Sequence, residues 1–191
     1  MEPRSGCPIN AAVEVLGDRW SLLVLRDVIF GDRRYFRALL TGSLEGIASN
    51  ILADRLKRLI DAGILTRGTA ARGQRARFSL TEAGIQTLPI IYALGNWGLD
   101  WSSGSAELRN RQQLMRDEGP AFIEELMDEL RVRHLGAPPK PHEGPGAFER
   151  LSAAYAAAEQ ERVDEAAGDF ATPGRIPPMN PSRELQRGSG E

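Results

Sequence analysis

The chain has 191 residues, 41% of them hydrophobic, which is enough for one good core and an extension. Its net charge of -2 hides an asymmetry: residues 1–103 hold 13 Lys/Arg against 10 Asp/Glu, whereas residues 104–191 hold 11 against 16, so the basic excess lies in the first half. The single Cys7 excludes an intrachain disulfide and, with only His134 and His142 beside it, a structural zinc site; no apolar run approaches the ~20 residues of a membrane helix. Met1–Cys7 is polar and lacks the apolar stretch of a secretory signal, so a cytoplasmic protein with no membrane partner, metal or cofactor is expected.

Apolar residues recur at helical spacing from Ile9, with Gly17-Asp18 as a break, predicting one helix over Ile9–Leu16 and another from about Trp20 to Phe30. Gly31-Asp32 ends the second, and Tyr35, Phe36, Leu39 and Leu40 give the buried face of a short third. The turn Gly46–Asn50 leads into Ile51–Ala62, where Ile51, Leu52, Arg55, Leu56, Leu59 and Ile60 form one stripe. Ser49 is suited to cap this helix, and Gly63 to stop it in a left-handed conformation. Two short helices joined by a tight turn make a helix-turn-helix.

After Gly63 the period changes. Ile64–Arg67 and Arg77–Leu80 read as two strands around the polar, glycine-containing loop Gly68–Gln74, a hairpin with a basic tip. Thr81 should cap a long helix carrying Ile85, Leu88, Ile91, Tyr92, Leu94, Trp97 and Trp101, kinked by Pro89. Its apolar surface, following a core already complete, asks for a second surface to cover it, and dimerisation is assigned there.

Beyond Ser105 two charged helical stretches, Glu107–Glu118 and Pro120–His134, meet at Gly119-Pro120. The fold class expected is mainly α with a small β-hairpin, a winged helix-turn-helix with a dimerisation helix and a helical extension. Residues 1–103 form the winged domain and 104–135 the extension; 136–191 are a linker, a candidate helix over 147–167 and a disordered tail.

The stretch Arg33–Arg77 holds ten basic residues against three acidic ones, the footprint a polyanion partner requires. On the second helix of the motif, Ser49, Asn50, Ala53, Asp54, Lys57 and Arg58 are candidates for DNA contact. Asn50 can pair with adenine, Asp54 can accept from cytosine, and Ala53 can sit against a thymine methyl. Arg55 stands equally for an ion pair inside the fold and for DNA. Arg34, Arg72, Arg75 and Arg77, with Arg58, are assigned to the phosphate backbone or, at the wing, the minor groove. Leu94, Trp97 and Trp101 are read as dimer-interface core or the lining of a ligand cavity. No phosphate-binding glycine loop and no grouping of nucleophile, base and orienting residue points to an enzyme.

Read in order, Cys7-Pro8, Gly17-Asp18-Arg19-Trp20-Ser21, Leu25-Arg26, Arg34–Leu39, Gly46–Leu56, Gly63-Ile64-Leu65, Phe78–Thr81, Gly84, Leu88-Pro89 and Trp97-Gly98 resemble the HxlR family of winged-helix regulators. The resemblance covers roughly half the chain, Cys7 to about Gly98. It implies a cytoplasmic homodimer acting on double-stranded operator DNA as repressor or activator, its terminal helices packed between subunits. It also implies that Cys7 is either a sensor of oxidants or electrophiles or an inert residue, so a small-molecule or electrophile effector is a candidate partner. A winged helix used only to bind another protein is the rival reading.

Overall fold

The computed structural model describes residues 5–69 and 75–170, with side chains followed to Asp164. Helix α1 (Pro8–Leu16) opens on a proline, whose fixed φ and missing N–H suit a first helical turn. Helix α2 (Ser21–Gly31) is led in by Asp18, whose carboxylate accepts from the amides of Trp20 at 2.8 Å and Ser21 at 3.0 Å. It ends at Asp32, which takes a left-handed φ of 43°; aspartate tolerates that region better than most side chains. Helices α3 (Phe36–Gly42) and α4 (Ser49–Asp61) follow.

Strands β1 (Leu65–Arg67) and β2 (Phe78–Leu80) pair antiparallel, Leu65 opposite Leu80 and Arg67 opposite Phe78. The remaining helices are α5 (Glu82–Ile85), α6 (Leu88–Trp101), α7 (Ala106–Glu118), α8 (Pro120–Leu135) and α9 (Ala147–Phe170). The protein is thus mainly helical with one small hairpin, the winged helix-turn-helix expected. Gly63 stops α4 with φ 71°, and the Thr81 hydroxyl accepts from the Gly84 amide at 3.1 Å.

Two local expectations are corrected. Ser49 does not cap α4: the extended residue at its entrance is Ala48, whose carbonyl already accepts from the Leu52 amide at 2.9 Å, which puts Ser49 inside the first turn. Nor does Pro89 kink one long helix. The helix breaks at Gln86–Thr87, where the Thr87 hydroxyl donates to the Gly84 carbonyl, and α6 restarts with Pro89 in its first turn. A proline there costs no hydrogen bond, because first-turn amides have no partner within the helix.

Leu25, Leu39, Leu52, Leu59, Leu80, Ile85 and Leu88 are buried in a core that runs on without a gap through Phe122, Leu126, Leu130 and Leu151. Residues on both sides of position 103 therefore share one interior. Arg111 of α7 lies between the rings of Phe30 on α2 and Tyr155 on α9, and Arg131 of α8 clasps Glu82 of α5 at 2.7 Å. Among the described residues no helix is long and apolar enough to cross a membrane.

Candidate nucleic-acid interface

Helix α4 turns Leu52, Leu56 and Leu59 inward, which leaves Ser49, Asn50, Ala53, Asp54, Lys57 and Arg58 exposed along its opposite side. Positions three and four apart are neighbours on a helix, so these six make one continuous strip. Thirteen residues at about 1.5 Å each give a rod near 20 Å long, narrow enough for a major groove about 12 Å wide.

The charges on this strip are engaged with one another. Asp54 holds Arg55 at 3.3 Å and Arg58 at 3.2 Å through the same oxygen, Oδ2, and Lys57 pairs with Asp61 one turn on. Such exposed pairs are worth little and exchange readily for a competing anion. Arg55 is different: its side chain is largely buried and reaches Asp18 at 3.1 Å, tying α4 to the entrance of α2. Burial pushes the Asp18 carboxyl up, but the Ser21 hydroxyl, two backbone amides and Arg55 outweigh it and leave it below its ordinary value.

Arg34 is a correction. It is only 3% exposed. Its guanidinium donates to the Phe78 carbonyl at 3.0 Å, the Arg133 carbonyl at 2.9 Å and the Ser79 hydroxyl. The cause is local: the Arg34 carbonyl accepts from the Phe78 amide at 2.8 Å, which lays residues 32–35 against β2 and folds the side chain under the hairpin. A cation held there cannot reach a phosphate.

Other cations of this region stand unpaired. Arg37, Arg67, Arg75 and Arg77 are exposed and have no acidic partner among the described residues. Arg37, Arg67 and Arg75, together with Lys57, rim an open groove of about 550 Å³ between α3, α4 and the hairpin, floored by Phe36, Leu56 and Phe78. In the sequence Arg37 and Arg67 count toward the basic stretch without being assigned a place. The signal for Arg37 is there, since Leu39 and Leu40 mark the inner side of α3 and leave it on the outer; Tyr35 and Phe36, expected on the buried face, are instead exposed, Tyr35 preceding the helix and Phe36 opening it. Arg72 lies outside the described residues.

Ile90, Leu94, Trp97 and Trp101, spaced four, three and four apart, form an exposed stripe on α6, with Trp97 64% and Trp101 74% exposed. Cys7 is exposed at the entrance of α1. No group of three or more His, Cys, Asp or Glu that could hold a metal ion exists among the described residues.

Comparison with known proteins matches residues 15–106 to the HxlR-like helix-turn-helix family. An uncharacterized HTH-type transcriptional regulator of Synechocystis is 34% identical over 116 residues, covering 60% of this chain and 82% of that protein. The chain belongs to the HxlR-like family. A second relative, an uncharacterized HTH-type transcriptional regulator of Mycobacterium tuberculosis, is also 34% identical over 116 residues, 60% of this chain but 64% of its own length. The reduced form of the transcriptional regulator YodB from B. subtilis superposes with a TM-score of 0.43 at 25% identity, over 51% of this chain and 95% of that one. The HxlR-like match contains α2–α6 and the hairpin and ends at Ala106, the first residue of α7. The family and these relatives are regulators of transcription, not enzymes.

Proposed function

We propose that the chain is a sequence-specific, cytoplasmic transcription regulator that binds promoter DNA as a homodimer. The observation that carries this reading is the groove in which Arg37, Arg67 and Arg75, free of acidic partners among the described residues, stand beside Ala53 and Lys57 of the exposed strip of α4. Helix α4 enters the major groove, where Asn50, Ala53 and Asp54 meet base edges, and Ser49, Lys57 and Arg58 flank them. Arg37, Arg67, Arg75 and Arg77 lie against phosphates or the adjoining minor groove, where position matters and sequence does not. The α6 stripe of Leu94, Trp97 and Trp101 joins two copies, giving the spaced half-sites that a twofold protein reads. Exposed Cys7 is the position at which a thiol-reactive signal would act.

The test is selection of preferred duplexes from a random pool, followed by titration at several salt concentrations. An enriched, twofold-related sequence is expected. Replacing Arg37 and Arg75 by Ala should flatten the salt dependence by roughly one power of salt concentration for each phosphate that is no longer neutralised. No enrichment, together with a double variant that binds duplex as well as the parent does, would turn the reading toward a protein-binding module.

A further inference from the structure

A two-stranded hairpin has two open edges and little stability of its own. On either side of β2, the Arg77 carbonyl and the Thr81 amide face the β1 side, where they meet the Gly68 amide at 2.8 Å and the Ile64 carbonyl at 3.1 Å. Phe78 and Leu80 turn their backbone groups the other way. The Phe78 amide donates to the Arg34 carbonyl at 2.8 Å, the Phe78 carbonyl accepts from Arg34 Nε at 3.0 Å, and the Leu80 amide donates to Nδ1 of His134 at 3.0 Å. A backbone carbonyl, a guanidinium and an imidazole thus stand where a third strand would run.

Two of these groups are tied to the last turn of α8. His134 belongs to it, and Arg34 donates to the carbonyl of Arg133, 99 residues later in the chain. At the other end of the contact Arg131 clasps Glu82, two residues past β2. The HxlR-like match ends at the first residue of α7, so α8, which closes this outer edge, is a part of the chain that the family model does not contain.

We propose that the carboxyl end of α8 is a brace for the wing, in which His134 and Arg34 are positioning residues that hold the hairpin at its working angle to α4. The inference rests on the DNA-binding reading for its purpose, but not for its geometry. The imidazole must be neutral at Nδ1 to accept from Leu80. Burial first, and then the nearby cations of Arg34, Arg77 and Arg133, push its pKa down to about 4, so it remains an acceptor through the physiological range.

Two full-length variants separate hydrogen bonding from packing: His134→Leu fills the space without an acceptor, and His134→Asn restores an acceptor at the place of Nδ1. Amide hydrogen exchange at Leu80 and low-salt affinity for a random-sequence duplex are measured for both. His134→Leu should speed exchange at Leu80 about tenfold while Leu59 and Ile85 keep their protection, and should weaken duplex binding roughly fivefold; His134→Asn should return both to within about twofold of the parent. If the leucine variant does not fold, Glu82→Gln, which loosens the exposed Arg131 clasp, should give a smaller increase at Leu80, about twofold. Unchanged exchange, or equal behaviour of the Leu and Asn variants, overturns the brace. Faster exchange with unaltered duplex affinity overturns its purpose in DNA binding. A parent that binds no duplex sinks the DNA-binding reading and leaves the exchange result to judge the geometry alone.

Discussion

Arg34 and Arg37 are three positions apart in the chain, yet the first is folded beneath the hairpin and the second stands in water. Removing them should therefore have different consequences. Arg34→Ala leaves the buried Phe78 carbonyl and the partly buried Arg133 carbonyl without this donor and should cost about 2–4 kcal/mol in urea unfolding. Arg37→Ala should change stability by less than about 0.5 kcal/mol and be visible only in the salt dependence of duplex binding. His134 gives a prediction in pH. Its folded value of about 4 lies below the ordinary value of 6.5, so the unfolded chain takes up a proton that the folded chain refuses. Stability from this residue is present above about 6.5 and is lost as pH falls toward about 4. Carboxylates lose stability over part of the same range, so the check is the difference between parent and His134→Asn in unfolding at about pH 7.5, above that window, and about pH 4.5, near its lower end. A parallel decline in the two proteins would mean that the imidazole is not the group responsible.

At the scale of single elements, the hydroxyl of Thr81 does two things: it donates to the Gly63 carbonyl at 2.6 Å and accepts from the Gly84 amide. Thr81→Ala should cost about 1–2 kcal/mol by chemical denaturation; a loss below a few tenths would mean water replaces both bonds. This cap was legible in the sequence because a threonine directly before an acidic first turn has few other uses. The stripe Leu52, Leu56, Leu59 was legible for the same kind of reason, since periodicity survives whatever packs against it. Ser49 and Pro89 were harder. Each stands one or two residues from a helix start, where a shift of that size turns a cap into a first-turn residue or a helix breaker into a helix opener. Arg34 was not legible at all, because the groups that hold it lie on β2 and at the end of α8, 44 and 99 residues away in the chain, and nothing in the neighbourhood of Asp32–Tyr35 announces those contacts. The unpaired state of Arg37 and Arg67 likewise depends on where acidic residues end up in space.

For the molecule as a whole, the stripe on α6 and the shared interior bear on what holds together. Trp97→Glu places a charge in the middle of the exposed apolar row and should convert the proposed dimer into a monomer in sedimentation, with the helical signal retained. A variant that still sediments as a dimer would put the subunit contact elsewhere. The uninterrupted interior joins Leu80 and Leu88 to Phe122, Leu126 and Leu130. A gene shortened to end after Ser103 would keep the family's recognisable half yet strip the cover from Phe30, Leu80 and the outer side of β2, and its product should aggregate rather than fold. For anyone building hybrid regulators, the portable unit is accordingly not the segment that family resemblance marks out. The hairpin has to travel with the helices that come after it, or it will arrive with its side open.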